Sequence, residues 1–304
     1  MRVRWPEGEV PVDAALVRRL LEDQHPDLAD APLLPGDAGW DNVIWRLGDD
    51  LAVRIPRRAV AAPLIAHEQR WLPGLAANLP LAVPVPVRTG RPTGYYPWPW
   101  SVIPWIPGEP GDRMPVTDVA GSAARLGGFL RVMHVAAPLD APDNPARSGS
   151  IRSRADTFEN RLEVLSARVD GDALRTVWDG AVASPVHAGP GVWLHGDLHP
   201  ANTLVRDGII VAVIDFGDVC AGDPACDLGA ALMSFGEHGA PDFQTAYGLN
   251  DPALWHRSLG WCVLFALMLL EIGLEGRPTY ARVGRETLGW MARLGRGRRS
   301  ATPL

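Results

Sequence analysis

The sequence contains no lysine, so all 29 of its basic residues are arginines. A guanidinium group stays charged and cannot act as a titrating amine. The absence of lysine therefore excludes chemistry that depends on a side-chain amine. Wherever the protein needs a fixed cation, an arginine must supply it.

Cysteine and long hydrophobic runs are also scarce. The three cysteines, Cys220, Cys226 and Cys262, form no Cys-x-x-Cys pair, which argues against a disulfide framework. The longest apolar run covers residues 261–270 and ends at Glu271, so it is too short to span a bilayer and is typical of a buried helix. The N-terminus has no apolar signal region. We therefore expect a cytoplasmic protein that does not interact with a membrane.

The net charge of −6 argues against a general nucleic-acid binder. Residues 1–107 carry 12 acids and 11 arginines, a net charge of −1. Residues 108–304 carry 23 acids and 18 arginines, a net charge of −5. The acidic second part is compatible with a cationic substrate or a metal ion, and equally with an ordinary solvated surface.

The first third of the chain is rich in β-type patterns. A proline- and tryptophan-rich stretch over residues 92–110 follows them and predicts a stiff hinge. A turn containing glycine is expected over Gly36–Gly39. The other predicted elements are helices over 11–21 and 61–77, and strands over 43–47, 51–55, 81–90 and 100–108.

Beyond Gly111 the pattern becomes mostly helical. Helices are predicted over 117–135, 152–168 and most of 225–295. A short strand is predicted over 192–194, and an Asp207-Gly208 turn between two β-branched runs predicts one hairpin. We predict two domains, residues 1–107 and 108–304.

The polar stretch Trp193–Leu204, "WLHGDLHPANTL", is the strongest candidate for a functional site. It could be a metal site, the catalytic loop of a kinase, or a polar turn without chemistry. Asp197 and Asn202 lie five residues apart, and Asp215 follows the predicted hairpin. Carboxylate and amide oxygens suit Mg²⁺, and phosphoryl transfer needs a base together with such ligands. The combination favours a kinase.

Four segments of this sequence resemble the aminoglycoside phosphotransferase family, which has a protein-kinase-like fold. They are "LAVRIPRR", "WIPGEP", "HGDLHPANTLV" and "VIDFGDVCAGDPACDLG". The resemblance extends from about Gly36 to Gly229. It implies a bilobal α+β fold with a small β-rich N-lobe and a larger helical C-lobe. It also implies a Mg²⁺ cofactor, ATP or GTP as donor, and a hydroxylated acceptor such as an aminoglycoside, a macrolide or another metabolite.

The resemblance also implies roles for individual residues. Asp197 matches the catalytic base, and Asn202 and Asp215 match the magnesium ligands. Arg54 occupies the position of the family's phosphate-binding lysine, and Glu68 matches the acid that orients this cation.

The nucleotide contacts are predicted less directly. The sequence has no G-x-G-x-x-G, so the stretch around Asn42 is expected to cover the phosphates. The Pro104 carbonyl and the Ile106 N–H are expected to bind the adenine or guanine base. Asp218 is a candidate substrate or supporting contact. Asp223 and Asp227 are interpreted as structural residues.

His195 and His199 suggest an alternative, a metal-dependent hydrolase built on these two histidines and Asp197. A zinc site would need further ligands at suitable spacing, and none lies nearby. We therefore expect His195 to brace the loop through hydrogen bonds, and His199 either to do the same or to contact the nucleotide side. A nucleotide-binding protein without transferase activity is a further alternative, which the intact Asp197, Asn202 and Asp215 disfavour.

Overall fold

The computed structural model describes residues 6–301 of the chain. The chain forms two compact units. The first extends to Pro107 and also contains Ile214–Val219. The second consists of Gly108–Val213 and residues 220–301. The predicted division into 1–107 and 108–304 did not include the return of residues 214–219 to the first unit.

An antiparallel sheet of five strands forms most of the first unit, in the order β1-β2-β3-β5-β4. This agrees with the β-rich first lobe predicted from the sequence. The strands are β1 (Leu33–Ala38), β2 (Asn42–Leu47), β3 (Leu51–Pro56), β4 (Arg88–Gly90) and β5 (Trp100–Pro104), and the helices are α1 (Ala14–Gln24) and α2 (Ala62–Ala76).

Helix α1 begins at a side-chain cap and packs its apolar face on the core of this unit. The Asp13 carboxylate accepts the Leu16 N–H at 2.8 Å, an N-cap that contributes about 1 kcal/mol. Leu20 and Leu21 are fully buried in the same cluster as Trp100. Burying each leucine stabilises the fold by about 2 kcal/mol.

Two predicted features of the first unit were wrong. Residues 36–38 do not form the expected turn but continue β1, with Ala38 paired to Val43, and the chain turns after them. Of residues 81–90, only Arg88–Gly90 forms a strand. Pro84 and Pro86 lack the N–H groups that a paired strand needs, which explains the shorter strand.

The second unit is mostly helical, as predicted. Its helices are α3 (Val119–Met133), α4 (Ala155–Val164), α5 (Gly171–Ala183), α6 (Ala225–Leu232), α7 (Gly236–Tyr247), α8 (Pro252–Leu274) and α9 (Pro278–Ala301). Its short strands are β6 (Glu109–Pro110), β7 (Val192–Leu194), β8 (Thr203–Arg206), β9 (Ile209–Val213) and β10 (Cys220–Gly222). The sequence analysis did not identify α5.

Helix α8 forms the centre of the second unit and packs against α5, α6 and α9. It is long and apolar enough to cross a membrane, but 83% of its most apolar window is buried inside the protein. The ten-residue apolar run therefore lies within a longer core helix, as its composition predicted. Gly284 allows α9 to approach closely, because a Cβ there would lie 2.6 Å from the Leu270 nitrogen.

The predicted hairpin is present as β8 and β9. Asp207 and Gly208 both have positive φ, 53° and 78°, which is the conformation of a two-residue hairpin turn. Thr203 pairs with Val213. Asn202 therefore immediately precedes this terminal pair in the chain, and Asp215 follows it by two residues, so both flank the open end of the hairpin.

Candidate active site

The loop between β7 and β8 holds Asp197 and Asn202 together. The Asn202 side-chain amide donates to the Asp197 carbonyl at 2.8 Å and to its Oδ2 at 3.1 Å. These bonds use the amide nitrogen and leave the amide oxygen as the remaining acceptor of Asn202. The two residues that the motif spacing singled out are thus fixed in one arrangement.

His195 and His199 support this loop through their ring nitrogens. The Asp197 N–H donates to His195 Nδ1 at 3.2 Å, and the Ala201 N–H donates to His199 Nδ1 at 3.3 Å. His199 Nε2 lies 3.3 Å from Asp197 Oδ2. Since Nδ1 accepts in both rings, the neutral forms carry their proton on Nε2. The His199 ring therefore donates to the Asp197 carboxylate.

Arg147 is a partner of Asp197 that the sequence analysis missed. Its Nη2 donates to Asp197 Oδ1 at 2.9 Å, and its guanidinium lies over the Phe265 ring, 4.6 Å from the centroid. It lies in an irregular segment between α3 and α4, fifty residues before Asp197. No motif surrounds Arg147, so no sequence signal could have found it.

The electrostatic surroundings keep Asp197 ionised. Burial favours the neutral carboxyl, but His199 and then Arg147 outweigh it and hold the pKa of Asp197 well below its usual range. Such a carboxylate is always available as a hydrogen-bond acceptor at neutral pH. Its low basicity suits orienting a hydroxyl and taking up its proton late, when the attacking oxygen has become more acidic.

Asp227 fixes the backbone that leads into the loop. Its Oδ2 accepts the His195 N–H at 2.7 Å, and its Oδ1 accepts the Gly196 N–H at 2.9 Å. His134 Nε2 lies 3.3 Å from the same carboxylate. Asp227 is fully buried, so these charge-assisted bonds are strong. Asp227 is therefore structural, as interpreted from the sequence, and the part of the protein that it holds in place is the loop that carries Asp197.

Asp223, in contrast, stabilises the second unit away from the loop. Arg257 donates to Asp223 Oδ2 at 2.7 Å and to Oδ1 at 3.2 Å. Both side chains are buried. This two-bonded pair ties the start of α6 to α8, in agreement with the structural interpretation of Asp223.

A second charged cluster lies in the first unit around Arg54. This residue occupies the middle of β3, where Ile44 and Ser101 flank it on the neighbouring strands. Its Nη2 donates to Asp215, and its Nε lies 3.7 Å from Glu68 Oε2. The structure therefore brings together Arg54, Glu68 and Asp215.

Burial dominates the electrostatics of this cluster. Glu68 is fully buried, and this burial raises its pKa to about 7 although Arg54 opposes the shift. Burial also opposes the charge on Arg54, but Asp215 and Glu68 outweigh it and raise the Arg54 pKa. Asp218 adds to the same negative field. Arg54 is thus a permanent buried cation between carboxylates.

Asp215 adopts a left-handed conformation, with φ at 65°. This conformation is uncommon for residues other than glycine, and Asp tolerates it better than most. Such strain concentrates at functional sites. The side chain remains 45% exposed although it contacts Arg54, so its carboxylate can also reach solvent or a ligand.

The remaining predicted nucleotide contacts also lie in the first unit. Asn42 begins β2 and is only 7% exposed. Beside it, Asp41 pairs with Arg58 at 2.8 Å. Pro104 ends β5, and the following Trp105 N–H donates to the Asp50 carbonyl at 2.8 Å. That bond already uses the Trp105 N–H. The Ile106 N–H therefore stays the predicted donor to the base.

A cluster of metal ligands built on histidine is not found in the part of the chain that the structure describes. Residues 6–301 contain no group of three or more His, Cys, Asp or Glu side chains arranged to hold a metal ion. The Nδ1 atoms of His195 and His199 accept backbone hydrogen bonds instead. These hydrogen bonds are the geometry expected of histidines that brace the loop.

Comparisons with known proteins agree with the motifs. A family model described as "Phosphotransferase enzyme family" matches residues 33–261. Viomycin phosphotransferase of Streptomyces vinaceus is 28% identical over 238 residues, which cover 72% of this chain and 81% of that protein. The residues matched by the family model include both the Arg54 cluster and the Asp197 loop.

Solved structures show the same fold. The GDP complex of aminoglycoside 2′-phosphotransferase-IIIa has a TM-score of 0.68 at 18% identity, covering 93% of this chain and 99% of that one. A macrolide 2′-phosphotransferase from Brachybacterium faecium has a TM-score of 0.60 at 25% identity, covering 93% and 98%. The predicted protein-kinase-like α+β fold is confirmed.

Proposed function

The chain belongs to the phosphotransferase enzyme family, and we propose that it transfers the γ-phosphate of a magnesium nucleotide to a hydroxyl group of a small molecule. The main support is the Asp197–Asn202 pair, which is hydrogen-bonded in the loop before the β8–β9 hairpin. Asp215 follows that hairpin. This order of a base, an amide and a second carboxylate supplies the parts that phosphoryl transfer needs.

In the proposed mechanism, Asp197 accepts a hydrogen bond from the acceptor hydroxyl and takes its proton as the bond to phosphorus forms. His199 and Arg147 keep Asp197 ionised, so that it is ready before the acceptor binds. Asn202 holds the carboxylate in position through its amide. The contribution of these residues is chiefly orientation and electrostatic stabilisation.

Asn202 and Asp215 are the proposed magnesium ligands. Their amide and carboxylate oxygens are the hard donors that Mg²⁺ prefers, and the Asn202 nitrogen is already engaged with Asp197. Bound magnesium would neutralise charge on the nucleotide phosphates. Histidine and thiolate ligands, which would favour zinc, are not needed for this site.

The first unit is the proposed nucleotide-binding part. Arg54 would bind the phosphates, and Glu68 orients its guanidinium. Asn42, the Pro104 carbonyl and the Ile106 N–H keep their predicted roles toward the phosphates and the base. Asp218 contributes to the field at Arg54, which favours a supporting role over a substrate contact. A nucleotide-dependent enzyme of this kind fits the cytoplasm.

A nucleotide-consumption screen tests this function. Purified protein is supplied with ATP or GTP and candidate acceptors, with Mg²⁺ or with EDTA. The acceptors include viomycin, an aminoglycoside and a macrolide, after which the similar proteins are named, and simple hydroxylated metabolites. We expect acceptor-dependent nucleotide consumption that EDTA abolishes.

Thermal unfolding with added ligands separates the alternatives. We expect stabilisation by magnesium nucleotide and none by zinc. Stabilisation by zinc alone, with no nucleotide effect, would support the hydrolase. Nucleotide binding without transfer to any acceptor would indicate a protein that binds nucleotide but has lost catalysis.

The buried carboxylate of Asp227 gives a prediction about positioning. Asp227→Asn places an NH₂ group against either the His195 or the Gly196 N–H, so one of the two bonds is lost. We expect kcat to fall about tenfold or more, because small displacements of reacting groups are costly, while KM for the nucleotide changes little. Steady-state kinetics measure both quantities.

Asp251→Asn is the matched control for that variant. Asp251 also accepts a backbone N–H, from Ala253 at 2.8 Å, but it caps the exposed start of α8. We expect this control to keep its kcat. Wild-type kcat in Asp227→Asn would show that the loop does not depend on this carboxylate.

A further inference from the structure

A small cavity in the second unit has a cationic lining. Its volume is about 120 Å³, and it lies between α4, α8 and the segment that carries Arg147. Arg147, Arg154 and Arg161 line it together with the apolar side chains of Phe265 and Met268. Since one water molecule occupies about 30 Å³ of liquid, the cavity can accommodate a carboxylate or a phosphate group.

The polar groups of this lining are almost all hydrogen-bond donors. No aspartate or glutamate is among the described residues that line the cavity. Guanidinium groups donate and cannot accept. Trp261 also lines the cavity and is fully buried. Such a lining suits a ligand group that offers acceptor oxygens.

The three arginines are only partly balanced by carboxylates. Arg161 pairs with Glu271 at 2.6 Å, and Arg147 pairs with Asp197 at 2.9 Å. Arg154 donates instead to the neutral Ser153 hydroxyl, at 2.9 and 3.1 Å. Burial lowers the pKa of Arg161, and the nearby charge of Arg147 lowers it further. An additional negative charge would therefore be stabilised here.

Arg147 links the cavity to the Asp197 loop. The same guanidinium that lines the cavity donates to Asp197 Oδ1. Arg147 is thus shared by the cavity and the proposed acceptor-binding residue Asp197. An oxyanion in the cavity would also compete with Asp197 for Arg147, so that binding of the acceptor would loosen this contact.

From this juxtaposition we infer that the cavity is a subsite for an anionic group of the acceptor, a carboxylate or a phosphate. The inference rests on the proposed function, because it identifies the acceptor of the same site. It selects hydroxylated anions over polycationic acceptors, in contrast to what the net acidity of residues 108–304 first suggested. The local charge beside Asp197 decides this, since distant surface acids are screened.

Matched acceptors and one variant test the subsite. Hydroxy acids are compared with their primary amides, and sugar phosphates with their parent sugars, for wild type and Arg154→Gln. We expect wild type to have a lower KM for the anion than for its neutral partner in one of the two series. That series shows whether the subsite binds a carboxylate or a phosphate. In Arg154→Gln, KM for that anion should rise about tenfold, the effect of losing one charge-assisted hydrogen bond. The kcat and the KM for the neutral partner should change less than about twofold.

Arg285→Gln is the control, because it removes the same charge from the exposed face of α9. It should leave both KM values unchanged. An equal rise in KM for the anion and its neutral partner in Arg154→Gln would overturn the inference. So would a wild-type preference for the neutral acceptors.

A binding measurement covers the case in which no acceptor of the panel is phosphorylated. Inorganic phosphate is titrated into wild type, Arg154→Gln and Arg285→Gln that are saturated with magnesium nucleotide. Weaker phosphate binding by Arg154→Gln alone supports the subsite, and equal binding by all three overturns it. Failure of the proposed function has a different signature, the absence of any magnesium-nucleotide binding by wild type.

Discussion

Replacing Asp197 by alanine should lower kcat by about 10²- to 10⁴-fold, the usual contribution of a positioned general base. The nucleotide should still bind with an affinity within about threefold of wild type, because the proposed phosphate and base contacts lie in the first unit. The physical reason is specific to this loop. Asp197 is the common partner of Asn202, His199 and Arg147, so its removal takes away the acceptor that these groups orient.

Single-turnover kinetics and nucleotide titration measure these two effects separately. Asp143→Ala serves as the control, since Asp143 is an exposed residue of the segment that carries Arg147. We expect its kcat and nucleotide affinity to equal those of wild type. Wild-type turnover in the Asp197 variant would refute the assignment of the base.

Replacing Arg54 by methionine should lower the free energy of unfolding by about 3 kcal/mol. The substitution keeps an unbranched apolar stem but removes the guanidinium, which leaves Glu68, a fully buried residue, without its cation. The KM for the nucleotide should rise at least about tenfold, since the proposed phosphate contact is lost. Chemical denaturation without magnesium, together with kinetics, measures the two effects.

A double variant separates the two effects. Arg54→Met with Glu68→Gln should recover much of the lost stability, because the buried carboxylate is gone, but it should not recover the nucleotide KM. Arg88→Met is the control, since Arg88 lies at the sheet edge and its pair with Asp27 at 3.7 Å is exposed. Such a pair contributes less than about 1 kcal/mol. An equal loss of unfolding free energy in Arg54→Met and Arg88→Met would show that the buried Glu68 does not depend on Arg54 for its stability.

The pH dependence of the Arg54 variant has a defined sign. Burial raises the pKa of Glu68 to about 7 in the folded protein, above its ordinary value of 4.5. The folded state therefore binds more protons than the unfolded state over this range, and stability falls as the pH rises through it. Without Arg54 the pKa rises further, so Arg54→Met should lose more stability at pH 8 than at pH 5. Adding Glu68→Gln should remove this difference.

Much of the fold could be predicted from local patterns. The Asp207-Gly208 turn, the strands that contain Ile44 and Arg54, and the long helices of the second unit agree with the structure. Each depends on residues close together in the sequence, so its physics is visible there. Helix α5 was missed, and the turn predicted at Gly36 proved to be a strand. In β1, pairing with β2 outweighs the turn preference of glycine.

The sequence by itself determined the chemistry of the protein. The order of Asp197, Asn202 and Asp215, together with the resemblance that assigns Arg54 as the phosphate-binding cation, predicted a phosphotransferase, and the family match confirms that function. The roles of the individual residues are predictions. These residues were recognisable because the reaction requires particular groups at short spacings.

The supporting residues and the subsite were decided only by the tertiary structure. Arg147 reaches Asp197 from fifty residues away, and Arg154 and Arg161 on the segment around α4 meet α8 to form the cavity. The residues next to an arginine in the sequence do not indicate which carboxylate it will pair with, because long-range packing alone determines which charges lie beside it.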